Sequence, residues 1–344
     1  MNCCIHCFTD SQLCKMIEKR GLIGDCNFCE SKNVNVYPIG EESDLTDLLA
    51  GVLELYEKAD EGSPIWDVLC KDWNIFSGTP EIVKLLVEAV CSTLIASDCD
   101  KYTSNVCIPR QTIEEFGIFG GLDWLAFSET IKSRNRFHSG YFNAGLFASF
   151  LSYPVKNYPA GTILMRARIS TDNKGFSITE MGAPPRGRRS AGRINPEGIG
   201  VLYLASDRDT VLNEVRASAF DYVTIGHFKS LRDIRVVDLS GMHMISPFIY
   251  ESGLAQFAAN LTVFNDIAKE IAKPLRRSDS PLEYLPTQYI TEFIKSQEYD
   301  GVQYASTMRT GGYNVAVFDE GFFECIETSV VEVRKLNYDI EDIA

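Results

Sequence analysis

No apolar run in the chain approaches the ~20 residues that a bilayer-spanning helix requires, which excludes a helical membrane span. The first residues, Met-Asn-Cys-Cys-Ile-His-Cys, supply neither the basic n-region nor the apolar h-region of a secretory signal, so a cytoplasmic location is expected. Internal repeats and low-complexity tracts are also missing, which sets aside a repeat architecture. Positive charge is scarce: 33 Lys and Arg stand against 47 Asp and Glu, a net charge of −14. Phosphate backbones are bound by Lys and Arg that displace their counterions, so nucleic acid is not an expected partner. The acidic excess is strongest between Glu41 and Asp100. It fits either a protein partner or plain solubility.

The composition is that of an ordinary globular protein, 45% hydrophobic and 23% charged over 344 residues. That length allows two or three domains and a substantial core. Eleven cysteines, an odd number spread along the chain, do not make a disulfide scaffold. Cys70, Cys91, Cys99, Cys107 and Cys325 read as small buried hydrophobes. The early ones differ: Cys4-Ile-His-Cys7 and Cys26-Asn-Phe-Cys29 give the spacing C-x2-C-x18-C-x2-C. Two such knuckles can present four thiolates to one tetrahedral Zn²⁺, and a site closed by four protein ligands is structural rather than catalytic. Cys3, His6 and Cys14 lie close enough in sequence to replace one of the four.

Three segments follow from the patterning. Residues 1–40 form a Cys-rich zinc-binding unit, 41–153 an acidic helical domain, and 154–344 a mixed domain. In the middle segment Leu45, Leu48, Leu49, Val52 and Tyr56 repeat at helical spacing. Thr79-Pro80 starts a second helix as N-cap and N1, with Ile82, Leu85, Leu86, Ala89 and Val90 expected on its buried face. Beyond Pro159, strands are predicted at Thr162–Ile169, Ile199–Ala205, Ile234–Leu239, Val302–Ala305 and Asn314–Phe318. Helices are predicted at Thr210–Ala219, Phe248–Ile271 and Thr287–Ser296. Strands and helices mix without strict alternation, so the fold class is α+β.

Polar residues collect in this last segment. Arg166 and Arg168 share one face of the first predicted strand, and a planar guanidinium suits bidentate phosphate contact. Gly192-Arg193-Ile-Asn195-Pro-Glu-Gly198 forms a loop that, with Arg186, Arg188 and Arg189, makes a basic island inside an acidic protein. Tyr203 lies near the end of the next strand. Ser206-Asp207 reads as a helix cap. Glu214 follows it with Val211, Leu212 and Val215 as neighbours, company in which a glutamate is paired or functional. Tyr304-Ala-Ser306 and Asn314 close the set.

In this order and spacing the elements resemble the RES-domain family, named for an Arg, a Glu and a Ser, over about residues 160–320. The resemblance implies a fold related to ADP-ribosyltransferases and an enzyme that degrades NAD by cleaving the nicotinamide–ribose bond. It assigns Arg166, Glu214 and Ser306 to catalysis. Arg193, Asn195, Arg168, Tyr203 and Asn314 are assigned to NAD binding, with Tyr203 packing on the nicotinamide. Glu214 is expected to hold ribose hydroxyls, and Ser306 to bond the ribose or a phosphate. Pro286–Gln288 reads as structural.

The acceptor is water or phosphate, and the implied role is that of an intracellular toxin or defence effector. A regulatory partner or antitoxin is consistent with this, as is the dimerisation common in the family. The zinc-and-helix front resembles that of longer RES proteins. Such regions are sometimes related to HEPN ribonucleases, but Arg134 and His138 are too closely spaced for that signature. An ADP-ribosyltransferase acting on a macromolecule and a catalytically idle ligand-binding scaffold are the other readings of the same residues.

Overall fold

The computed structural model describes residues 1–40, 43–93, 104–184, 190–248, 253–274 and 280–336. In chain order the first elements are β1 (Asn2–Cys4), α1 (Ser11–Arg20), β2 (Ile23–Gly24), β3 (Val34–Pro38), α2 (Asp44–Glu54) and β4 (Glu57–Pro64). Then come α3 (Ile65–Asp72), α4 (Pro80–Cys91), β5 (Asn105–Cys107), α5 (Arg110–Phe116), α6 (Trp124–Ser133) and α7 (Ala144–Leu151). The remainder holds β6 (Val155–Tyr158), β7 (Ile163–Ser170), β8 (Leu202–Ala205), α8 (Arg208–Glu214), β9 (Tyr222–Ser230), β10 (Ile234–Asp238) and α9 (Leu254–Ala258). It ends with α10 (Leu261–Ala272), α11 (Leu285–Ser296), β11 (Gly301–Ala305), β12 (Tyr313–Val317) and β13 (Phe323–Glu332). The fold is α+β. No helix among the described residues is long and apolar enough to cross a membrane.

The chain divides into two units. One comprises Met1–Ala126, Gly140–Leu146 and His243–Asn265; the other comprises Phe127–Ser139, Phe147–Met242 and Asp266–Ala344. In the first, β1, β3 and β2 form a small antiparallel sheet. Asp10 caps α1 by accepting from the amides of Gln12 and Leu13, and Gly21 ends it in a left-handed conformation. In α2, Leu45, Leu49 and Val52 are buried as the spacing predicts. The helix opened by Thr79-Pro80 forms, but its buried face differs from the expected one. Leu86, Ala89 and Val90 are buried as expected, but Val83 and Val87 join them while Ile82 is half-buried and Leu85 is 48% exposed. Overlapping apolar stripes of similar width run along this helix, and only packing selects among them.

The second unit is built on one eight-stranded sheet, ordered β13-β9-β7-β8-β12-β11-β10-β6. All neighbours are antiparallel except β10 and β11. Strand periodicity sends alternate side chains to opposite faces. One set, including Leu164, Leu202, Leu204, Phe228, Val236 and Val315, packs with Met181 and Phe323. The alternate set, Ala167, Ala205, Val223 and Ile225, packs with Val211 of α8 and with Ala217. That second contact seats α8 on the sheet.

Each strand predicted beyond Pro159 has an observed counterpart, and three further strands, β6, β9 and β13, complete the sheet. The predicted helix Thr210–Ala219 is the shorter α8, because Arg216 leaves helical space at φ 51°. The long helix expected over Phe248–Ile271 is two helices, α9 and α10, with residues 249–252 outside the described ones. Of the later cysteines, Cys91 is buried, Cys70 and Cys325 are half-buried and Cys107 is exposed; Cys99 lies outside the described residues.

Candidate active site

Register brings the site together. His227, Met165, Ala205, Asn314 and Tyr304 form one row across β9, β7, β8, β12 and β11. β7 and β8 are joined by the single pair Met165–Ala205 and diverge beyond it. At this point a cavity of about 440 Å³ opens, lined by Arg166, Arg193, Tyr203, Val211, Glu214, Arg216, Ile271, Lys273, Tyr304 and Asn314 among others.

Glu214 reaches the cavity because α8 is fixed at its other end. Asp207 caps the helix, accepting from the Thr210 amide at 3.0 Å and the Thr210 hydroxyl at 2.8 Å. Arg309 pairs with the same Asp207 and lies 3.4 Å from Asp209. The Glu214 carboxylate accepts two hydrogen bonds on Oε1: from Ser306 Oγ at 2.6 Å and from Asn314 Nδ2 at 2.8 Å. Ser306 and Asn314 are both buried. Ser306, expected on a ribose or phosphate, donates to the carboxylate here. Its own oxygen accepts from the Met308 amide at 3.2 Å.

Arg166 lines the cavity with its Nη1 buried and without a hydrogen-bond partner. Burial, and then the neighbouring charge of Arg168, push its pKa below the ordinary guanidinium value. A desolvated cation of this kind is stabilised when an anion enters. Arg168 is not among the cavity-lining residues. It stacks on Phe176 at 4.1 Å and donates to the Glu180 carbonyl.

The Gly192–Gly198 loop divides its work. Arg193 lines the cavity but is only 9% exposed. Its Nε donates to the Lys273 carbonyl at 3.0 Å and its Nη1 lies 3.9 Å from Glu270. Asn195, 5% exposed, does not line the cavity. Its Nδ2 donates to the carbonyls of Ser190, Pro196 and Ile199, and its Oδ1 accepts from Tyr203 Oη at 2.7 Å. Gly192 approaches that pair closely: a Cβ there would come within 3.1 Å of Tyr203 Oη and 3.2 Å of Asn195 Oδ1, so a side chain would press on both. From α11, Gln288 donates to the Gly192 and Asn195 carbonyls, and Thr291 to that of Ile194. Arg186, Arg188 and Arg189 lie outside the described residues.

Tyr203 and Tyr304 give the cavity aromatic walls, and burial pushes both phenols above their ordinary range, so each stays protonated as a donor. Tyr304, quoted in sequence as part of Tyr304-Ala-Ser306 but given no role of its own, lines the cavity, as do Arg216 and Lys273, which motif spacing did not single out. Arg216 and Lys273 carry no sequence signal.

The four knuckle cysteines converge in the other unit. Their Sγ atoms all lie within 4.8 Å of one another. Three Sγ pairs measure 4.0, 3.4 and 3.5 Å, against about 3.8 Å expected for thiolates sharing one tetrahedral zinc at its usual bond length. Amides of Phe28 and Cys29 both donate to Cys26 Sγ at 3.4 Å. The alternative ligands are occupied elsewhere. Cys3 donates to the Tyr37 carbonyl, Cys14 to those of Ile5 and Phe8, and His6 pairs with Ser31.

Against known proteins, no curated sequence matches the chain. Among solved structures it is similar to a chain in the crystal structure of the M. tuberculosis MbcT-MbcA toxin-antitoxin complex, with 15% identity and a TM-score of 0.33. That likeness covers 54% of this chain and 91% of the other. The RES domain matches residues 164–340, a span that takes in Arg166, Glu214 and Ser306, and the chain belongs to the RES-domain family.

Proposed function

We propose that the protein cleaves the nicotinamide–ribose bond of NAD, with water or phosphate as acceptor. The observation that carries this reading is the Glu214 carboxylate, fixed by Ser306 and Asn314 at a cavity whose other charged lining residues are Arg166, Arg193, Arg216 and Lys273. Loss of nicotinamide develops positive charge on the ribose, as in glycoside cleavage. A preoriented carboxylate stabilises that charge without reorganising. Both donors use Oε1, which leaves Oε2 for a ribose hydroxyl or the developing cation. The pyrophosphate would give Arg166 Nη1 the acceptor it lacks, and Tyr203 and Tyr304 give the nicotinamide a flat apolar wall.

Depletion of NAD under stress or infection, as an intracellular toxin or defence effector, is the physiological role this activity suits. Its control would fall to the N-terminal segment or to a regulatory partner or antitoxin. Transfer of ADP-ribose to a macromolecule is the second reading. Leu212, two residues before Glu214, provides no second carboxylate to orient such an acceptor, which favours a small one. Zn²⁺ on Cys4, Cys7, Cys26 and Cys29 would hold the N-terminal fold and take no part in the chemistry.

The test is to incubate purified protein with NAD, with and without phosphate, and to separate the products. Nicotinamide with ADP-ribose marks a hydrolase; a phosphorylated ADP-ribose formed only with phosphate marks a phosphorylase. Glu214→Gln should abolish turnover with an unchanged circular dichroism spectrum. Wild-type turnover by that variant sinks the assignment of the site.

A further inference from the structure

We propose that Arg216 is a phosphate-selecting residue of the cavity, reading one phosphoryl group of the dinucleotide while Arg166 takes the other. The proposal rests on the NAD reading above. Arg216 lines the cavity two positions beyond Glu214. Among the described residues its guanidinium has no ion pair or hydrogen-bond partner, whereas those of Arg168, Arg193 and Arg309 are engaged. Arg166 Nη1 is likewise without a hydrogen-bond partner, buried where Arg216 is exposed, so two arginines line the same cavity, one desolvated and one reaching solvent.

A second, independent property is conformational. α8 ends at Glu214 and Val215 is its C-cap, which makes Arg216 the following residue, at φ 51°. That left-handed position is the one glycine ordinarily fills, because a Cβ there crowds the next carbonyl. The Arg216 amide makes the turn bond that any residue could make, to the Asn213 carbonyl at 3.2 Å. Helix termination therefore gains from arginine only a cation near the C-terminus of a short helix, and loses the conformational ease of glycine. Glu30, Asn33, Phe220 and Glu298 also take a positive φ, and of these five non-glycine residues Arg216 is the one that lines the cavity. The required property here is a long cationic fork at the cavity, and the ligand chemistry it fits is a phosphoryl oxygen pair.

Two variants separate charge from backbone. Arg216→Asn removes the charge but tolerates the left-handed conformation; Arg216→Gly removes both charge and strain. With each, KM for NAD should rise about tenfold while kcat stays within about threefold, the size expected when binding loses one charge-assisted hydrogen bond. Turnover of nicotinamide riboside, which has the same scissile bond and no phosphate, should be unaffected. The Tm of Arg216→Gly should equal or exceed that of the wild type, a sign opposite to its effect on KM. An unchanged KM for NAD in Arg216→Asn overturns the proposal alone, as does an equal loss with the riboside. Wild-type protein that neither binds nor cleaves NAD removes the proposal together with the reading beneath it.

Discussion

The hydroxyl of Ser306 donates to Glu214 Oε1 at 2.6 Å across 92 positions of sequence. Asn314 reaches the same oxygen at 2.8 Å from the neighbouring strand. One carboxylate oxygen is thus held from β12 and from the loop that leaves β11, while the other has no hydrogen-bond partner among the described residues.

Removing either holder should lower kcat more than it raises KM. Ser306→Ala and Asn314→Ala are each expected to cost roughly 10–100-fold in turnover, the usual range for a group that orients a reacting residue. The double variant should approach Glu214→Gln and fall short of the product of the two single effects, since both act through one oxygen. Nicotinamide release, measured at saturating NAD, decides this.

Arg166→Lys keeps the charge and loses the planar fork. KM for NAD should rise at least tenfold, because a point charge cannot reproduce two parallel bonds to a phosphate. An unchanged KM would show that Arg166 acts only as a distant cation.

Asn195→Ala should act on stability before chemistry. The side chain satisfies three carbonyls and the Tyr203 hydroxyl while buried. Stranding those groups costs about 2 kcal/mol, a fall in Tm of roughly 4–8 °C for a domain of this size. Thermal denaturation with and without ADP-ribose checks it, and a variant with normal Tm and lost NAD binding would return Asn195 to the ligand.

The cysteine cluster makes a compositional prediction. Elemental analysis should find one zinc per chain, and Cys26→Ser should lose it. Because a structural zinc supplies folding energy directly, chelation should expose residues 1–40 to protease. A metal-free protein of wild-type Tm would count against the site.

Much of the site was legible because its residues sit at strand ends and in one loop, where polar side chains break apolar runs. Their partners were not. Ser306 and Asn195 read as ligand contacts in sequence, and the fold adds hydrogen bonds that spacing did not give: Ser306 to Glu214, and Asn195 to its own loop and Tyr203. β9 escaped notice because Gly226, His227 and Lys229 interrupt its apolar pattern, although it lies between β13 and β7 in the sheet. β13 carries Glu324, Glu327 and Glu332 along an edge strand and reads as loop. The rotation of α4 has the same cause: an apolar helix does not announce which face will be covered.

The single Met165–Ala205 pair has a further consequence for how this protein comes into being. The two halves of the sheet are stitched by one bridge, and the cavity lies at the stitch. Strands from both halves, and the late residues Ser306 and Asn314, must be in place before Glu214 has its bonds. A nascent chain therefore carries Arg166 and Glu214 long before Ser306 and Asn314 can fix the carboxylate, so on the proposed reading any cleavage of NAD waits until β11 and β12 dock.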